Sequence, residues 1–233
     1  MVAPALRRLL PQPAGPTTVR EAYGVERPTP DGRPWVGLCM VTSVDGSVVL
    51  GGRAGGLGNE NDVDVLLTLR ELSDVIVVGA GTARAEGYGP PRSGRRIGIV
   101  TRSGALDLDS DLFRSGLAFV IAPASAPIDD SAVEVLRAGE DEVDLADAFA
   151  RLHEIVPGVG FVDVEGGPAL NGTLLAAGLV DEVDLTISPR VVGGTGDRMI
   201  TGSPEVDQGL ELAHVLVDDD GFVFTRWTRP DPS

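Results

Sequence analysis

Short apolar runs and amphipathic segments take turns along most of the chain. WVGLCMVTS (35–43), DVIVVG (74–79), RIGIV (96–100), LAFVIA (117–122) and GFVDVEG (160–166) read as strands. Between and after them, VDVLLTLREL (63–72), DDSAVEVLRA (129–138), LADAFARLHEIV (145–156) and PALNGTLLAAGL (168–179) carry a helical period. Alternation of this kind predicts βα units around a largely parallel sheet. Several of the strands are almost continuous in Val, Ile and Leu, the pattern expected where helices cover both faces. The last third changes character. EVDLTISP (182–189), ELAHVLVDD (211–219) and GFVFTRW (221–227) read as strands, with no helix between the final two. Asp219-Asp220-Gly221 is a turn signal, so an antiparallel hairpin is expected at one edge of the sheet. Pro and Gly break up residues 1–33, which read as an irregular arm with one short helix near Ala5 to Leu10. Residues 34–233 read as a single α/β domain.

Composition narrows the chemistry. Of 233 residues 42% are hydrophobic, enough for one sizeable core, and the 31 Gly and 17 Pro are spread between apolar runs, which excludes disorder and a collagen repeat. All 19 positive side chains are Arg. Whether or not a codon-biased genome explains the missing lysines, Schiff-base, pyridoxal-phosphate and Walker A lysines are excluded, and any phosphate must be held by Arg or backbone N–H groups. Against them stand 35 acids, a formal charge of −16 that repels nucleic acid and anionic membranes. Cys39 has no partner for an internal disulfide, and His153 and His214 form no cluster at metal-ligand spacing and read as structural, so no metal site is expected. The first residues lack an uninterrupted apolar segment, and no apolar run approaches the ~18 residues of a membrane span. A cytoplasmic location is the expectation.

Three turns carry candidate chemistry. The strand DVIVVG runs into Gly79-Ala80-Gly81-Thr82 and then a short helical segment, which is either an anion-binding loop at a strand's carboxyl end or a tight packing turn. Glu165-Gly166-Gly167-Pro168 follows FVDV in the same way, with Pro168 suited to a first helical turn. Together the two turns would cradle a pyrophosphate; Glu165 is either a ligand-binding carboxylate or an ordinary acid at a strand end. The third place is Thr42-Ser43-Val44-Asp45-Gly46, followed by the Gly-rich segment GGRAGGLGNEN (51–61), which is either a lid or a solvated connector.

Taken together, SVDG (43–46), TLRELSDVIVVGAGT (68–82) and EGGPALNGTLLAAGLVDEVDLTISPRVVGG (165–194) resemble the pyrimidine reductase family of riboflavin biosynthesis, over about Arg33 to Trp227. The resemblance implies a dihydrofolate-reductase-like α/β fold and a homodimer. It also implies NADPH-dependent hydride transfer to the ribose of 5-amino-6-(5-phosphoribosylamino)uracil. Carried onto matching positions, it implies that Thr42, Gly79, Gly81, Thr82 and Glu86 lie along NADPH. Gly166, Gly167, Pro168, Ala169, Leu170, Asn171 and Thr173 then wrap the diphosphate, and Thr101, Arg102 and Ser103 meet the adenosine 2′-phosphate. Arg70 and Glu165 match substrate-contacting positions, and Asp45 is the first candidate proton donor, ahead of ordered water. Two departures bear on the substrate. Cys39 stands where the family carries a lysine, and Glu86-Gly87-Tyr88-Gly89-Pro90-Pro91-Arg92 replaces the family's acid-Pro-x-Leu-Thr-x-Arg, which makes Arg92 the candidate for the displaced arginine. The H-x-E and P-C-x-x-C signatures of the zinc deaminase half do not occur in the sequence, so a reductase domain on its own is expected. The competing readings are a pterin or dihydrofolate-type reductase and a non-catalytic nucleotide-binding protein.

Overall fold

The computed structural model describes residues 5–230. Its strands are β1 (Leu6–Leu10), β2 (Gly15–Pro16), β3 (Trp35–Ser43), β4 (Val75–Gly79), β5 (Arg96–Val100), β6 (Ala118–Ala122), β7 (Val135–Arg137), β8 (Phe161–Val164), β9 (Glu182–Ser188), β10 (Glu211–Asp218) and β11 (Val223–Thr228). The helices are α1 (Val19–Tyr23), α2 (Glu60–Leu72), α3 (Ala80–Glu86), α4 (Asp111–Arg114), α5 (Leu145–Ala150) and α6 (Pro168–Ala176). All the strands join one sheet in the order β2-β1-β10-β11-β9-β3-β8-β4-β5-β6-β7. From β9 to β7 every pairing is parallel, and from β9 outward to β2 every pairing is antiparallel.

The strand residues divide by parity between two cores, as the pleat requires. Val36, Leu38, Val75, Val77, Val162 and Val164 pack with Phe149 of α5 and with Leu170 and Leu174 of α6. Their odd neighbours face the other way: Trp35 and Phe161 pack with Val19 and Tyr23 of α1 and with Val65 and Leu69 of α2. Ile76, Val78, Ile97 and Ile99 meet Leu112 of α4 on that same side. Burying each such side chain stabilises the fold by roughly 1.5–3 kcal/mol, which is why the runs of Val and Ile hold their register.

Several expectations need correction. The segment near Ala5 to Leu10 is a strand, not a helix: β1 pairs antiparallel with β10 from Leu6 opposite Asp218, and its pairing overrides the helical propensity of Leu and Arg. Residues 5–33 are therefore not merely an irregular arm; α1 follows behind a capping box between Thr18 and Glu21. The β10–β11 hairpin forms with its turn at Asp219 to Gly221, but it lies inside the sheet because β1 and β2 cover its outer side. In the segment 129–138 the helical period is misleading. Asp129 closes a turn on the Ser131 N–H, Arg137 reaches Asp130 and three backbone carbonyls, and β7 adds the last parallel strand beside β6. Of the stretch 145–156, only Leu145–Ala150 is α-helix, followed by a 3-10 turn at Leu152–Glu154. Among the described residues no helix is long and apolar enough to cross a membrane.

Candidate active site

A cavity of about 1060 Å³ opens at the carboxyl ends of β3, β4 and β8, between α2, α3 and α6. Carboxyl ends of parallel strands are where open α/β sheets bind ligands. The volume is at the upper limit of the roughly 300–1,000 Å³ typical of a single small-molecule pocket, room for a cofactor with a second ring beside it.

One wall is made by the two Gly turns. Gly79 precedes α3 and Gly167 precedes α6 as residues whose side chains supply no cap, so the first N–H groups of both helices have no side chain closing them off. The turns touch each other. The Gly79 N–H donates to the Gly166 carbonyl at 2.7 Å, and a Cβ on Gly167 would run into Thr82 Oγ1. Gly81, by contrast, has open space ahead of its Cα. Gly79, Gly81, Thr82, Glu86, Gly167, Pro168, Ala169 and Leu170 all line the cavity. Gly87 ends α3 at φ 69°, a left-handed conformation that favours Gly.

The floor is a buried charge cluster. Glu165 accepts from Arg70 Nε at 2.6 Å and Nη2 at 2.7 Å, and from the Tyr88 hydroxyl at 2.6 Å. Burial opposes the charge on Arg70, but Glu165 outweighs it and holds the guanidinium protonated above its ordinary range. The Tyr88 hydroxyl is pushed well up by burial and by the Glu165 carboxylate, so it stays a donor. Next to them Cys39 lines the cavity, its thiol driven up by burial and by Asp163 and Glu165 and therefore uncharged. Burial likewise raises the buried carboxyls of Asp163 and Asp184, helped by the neighbouring acids Glu165 and Glu182.

Helix α2 forms the opposite wall. Asn59 Oδ1 caps it by accepting from the Asp62 N–H, and Glu60 and Asp62 sit in its first turn, where the helix dipole favours acids. Asp218, in the β10–β11 turn region, accepts from Asn59 Nδ2 and Asn61 Nδ2 and so fixes that end of the helix to the hairpin. Asn59, Glu60, Asp62, Val63 and Leu66 line the cavity, and Asp62 is raised above the usual carboxylate value by burial. The Gly-rich loop closes the top through Gly52, Ala54, Gly55 and Gly58; it is tied to α3 by the Ala54 N–H donating to Glu86 at 2.8 Å.

Several candidates lie elsewhere. Asp45 is exposed and points its carboxylate at a neighbouring loop, accepting from Ser43 Oγ, the Val192 N–H and the Gly193 N–H. Those bonds, Ser43 first, hold it at about 2, so it has neither the position nor the proton of a donor. Thr42 is buried in β3, and Asn171 is buried against Met40 and the Met199 carbonyl. Gly166 and Thr173 do not reach the cavity surface; Thr173 Oγ1 donates back to Ala169. Thr101 closes a turn on Gly104, Arg102 pairs with Glu142 in solvent, and Ser103 is exposed beside them, all outside the cavity. Arg92 lines a separate depression behind Arg70, and it is Tyr88 that comes to Glu165.

The family model described as RibD C-terminal domain matches residues 34–224, most of the chain. The chain belongs to this family. It is 29% identical over 192 residues to the 2,5-diamino-6-ribosylamino-4(3H)-pyrimidinone 5′-phosphate reductase of Methanothermobacter thermautotrophicus, covering 76% of this chain and 87% of the relative. A solved pyrimidine reductase-like protein of Corynebacterium diphtheriae superposes with a TM-score of 0.78 at 27% identity, over 92% of this chain and 100% of that one. RibD of Acinetobacter baumannii shares the fold, with a TM-score of 0.72 at 20% identity over 86% of this chain and 59% of that one. As a RibD C-terminal domain protein the chain is an oxidoreductase of the riboflavin-biosynthesis type, and its family works with a reduced nicotinamide cofactor. The cavity suits such a group. It offers uncovered N–H donors and open space at Gly81 for a diphosphate, while the cavity lining includes no lysine and a single arginine.

Proposed function

We propose that the protein is an NADPH-dependent reductase of a ribosylaminopyrimidine. The observation that carries the reading is the single cavity that joins a Gly-turn cradle to the Arg70–Glu165–Tyr88 floor in a chain of this family. When bound, the reduced nicotinamide supplies a hydride. In the chemistry proposed, the sugar is in its open imine form, and the hydride adds to the carbon of the C=N bond while a proton goes to the nitrogen, leaving a ribitylamine.

The chain's own residues do the rest. Backbone N–H groups of Gly81, Ala169 and Leu170 hold the diphosphate, and Gly167, lacking a side chain, lets the two turns approach. Arg70 spends Nε and Nη2 on Glu165, which leaves Nη1 to donate to the pyrimidine. The 51–58 loop, docked on Glu86, keeps water out. Asp62 replaces Asp45 as the group that carries a proton at the cavity wall, because burial raises it and it faces the site. Arg102 is the guanidinium proposed to meet the 2′-phosphate of NADPH; its exposed pairing with Glu142 stabilises little and is readily exchanged. A homodimer belongs to the same reading and is checked by light scattering on the eluting protein.

The test is steady-state loss of nicotinamide absorbance with ribosylaminopyrimidines, supplied with and without the 5′-phosphate, beside dihydrofolate. NADPH oxidation with a ribosylaminopyrimidine, faster than with NADH, is the expected result. Turnover with dihydrofolate alone would make the protein a pterin-type reductase. NADPH binding without turnover on any of them would leave only a nucleotide-binding protein.

A further inference from the structure

Beneath Arg70 and Tyr88 the cavity floor continues into a second carboxyl. The pleat turns Phe161, Asp163 and Glu165 to the α2 side while Val162 and Val164 face α6, so the two acids stand two residues apart on one face. Asp163 is 1% exposed, between Gly37 of β3 and Ile76 of β4, neither of which carries a polar side chain. The charged and titratable groups that face it are Glu165 on its own strand, Arg70 of α2, Tyr88 after α3, Cys39 of β3 and Arg27 of the segment after α1.

Neither cation bonds Asp163. Arg70 gives Nε and Nη2 to Glu165, and Arg27 gives Nε and Nη2 to Glu182 and Nη1 to the Tyr23 and Val25 carbonyls. The Tyr88 hydroxyl goes to Glu165. Among the described residues no N–H or hydroxyl O–H donates to either oxygen of Asp163, whose carboxyl meets that of Glu165. Two buried carboxyls in contact ionise together only against strong repulsion, so one proton lies between them. It belongs to Asp163, because Glu165 is the acid matched by a guanidinium, and burial and the Glu165 charge both push Asp163 well above the usual carboxylate range. A carboxylate has about four acceptor sites. Arg70 and Tyr88 supply three donors to Glu165, and an Asp163 O–H fits as the next.

We infer that Asp163 is a positioning residue of the cavity floor: its carboxyl O–H donates to Glu165 and holds that carboxylate against Arg70 and Tyr88, which keeps Arg70 Nη1 directed at the pyrimidine. The role towards substrate rests on the reductase reading above, whereas the shared proton does not.

The experiment uses two variants. Asp163→Asn keeps the shape and an N–H donor but cannot ionise, and Asp163→Leu removes the donor as well. The unfolded chain releases the Asp163 proton above about 3.9 and the folded chain keeps it, so this residue makes the parent less stable as pH rises. Between pH 5 and 7 both variants are expected to gain on the parent in Tm by roughly 3–5 °C for each pH unit, whatever their offset at the start. A constant difference across that range overturns the inference. So does an infrared spectrum of the parent at neutral pH without a protonated-carboxyl band, a measurement that needs no variant. KM then separates positioning from packing. With a ribosylaminopyrimidine 5′-phosphate and saturating NADPH, Asp163→Asn is expected to stay within about twofold of the parent KM. Asp163→Leu is expected to raise KM roughly fivefold or more, the loss of about one hydrogen bond, with kcat less affected and the Kd of NADPH unchanged. Equal KM values in the two variants would overturn the positioning role. If the parent itself fails to turn over the pyrimidine, the reductase reading fails, and the Tm slopes still decide whether Asp163 holds the proton.

Discussion

Replacing Glu165 by Gln tests the floor of the cavity. The carboxylate side chain is 2% exposed and accepts three hydrogen bonds, two from Arg70 and one from Tyr88. Glutamine keeps one acceptor oxygen and presents an NH2 group to a donor, so at least one bond becomes donor against donor and the Arg70 charge loses its counterion. Removing one partner of a buried pair costs about 3–5 kcal/mol. The remaining amide oxygen and the 17% exposure of the Arg70 side chain put this case at the lower end, about 3 kcal/mol. For a chain of this size each kcal/mol moves the midpoint by roughly 2–4 °C, so Glu165→Gln lowers Tm by roughly 6–12 °C, read by circular dichroism. The double variant Glu165→Leu with Arg70→Met removes both charges and is expected to melt above the single variant, because a buried pair exchanged for apolar groups is often neutral. NADPH affinity should survive in both, since neither residue belongs to the cradle. A single variant that melts within about 2 °C of the parent, or a double variant less stable than the single one, would refute this account of the cluster.

Three further outcomes follow from the same structure. Asp45→Asn leaves the pH dependence of turnover unchanged but speeds hydrogen exchange at the Val192 and Gly193 amides; a lost acid limb would restore Asp45 as proton donor. Because bonding depresses Asp45 to about 2, its contribution to stability is present above the ordinary carboxylate value and disappears as pH falls towards 2. His214, against Tyr23 with ring centroids 4.7 Å apart, is lowered to about 4, chiefly by burial. The unfolded chain therefore binds more protons between about 6.5 and 4, and stability falls by about 3 kcal/mol as pH drops through that window; His214→Phe flattens the slope in urea titrations. Gly172→Ala would put a Cβ into the Thr201 carbonyl, a backbone atom that yields only if the loop moves. A loss of about 1–3 kcal/mol and weaker NADPH binding are expected, and an unchanged Kd would show that the Thr201 loop does not hold the cofactor.

The parallel half of the sheet was legible because strands buried on both faces leave little choice of residue: Val75 to Val78 and Phe119 to Ile121 are fully buried. Helix α2 was legible from Val65 and Leu69 at helical spacing. The failures occurred where a distant partner decides a local conformation. Leu6–Leu10 becomes a strand only because β10 offers an edge 200 residues away, and residues 129–138 are claimed by Arg137 and the edge of β6. In the site, the Gly turns announced themselves, since strand ends followed by uncapped helix starts leave a local pattern. Glu165 and Arg70 are 95 positions apart, and no spacing rule brings them together; the resemblance supplied both names, but not their ion pair. Tyr88, Asn59, Glu60 and Asp62 were missed as cavity residues. The capping pattern from Asn59 to Asp62 and the departure at residues 86–92 were their traces in the sequence. Asp45 misled because an acid in a Gly turn looks alike whether it faces a cavity or ties down a loop.

The most direct test of the central claim is a single turnover with NADPH deuterated at the transferring position of its nicotinamide, followed by mass spectrometry of the pyrimidine product. The account predicts one deuterium on the former ribosyl carbon of a ribitylamine. A product without deuterium, or labelled NADPH that stays reduced beside a ribosylaminopyrimidine of either phosphorylation state, would contradict it.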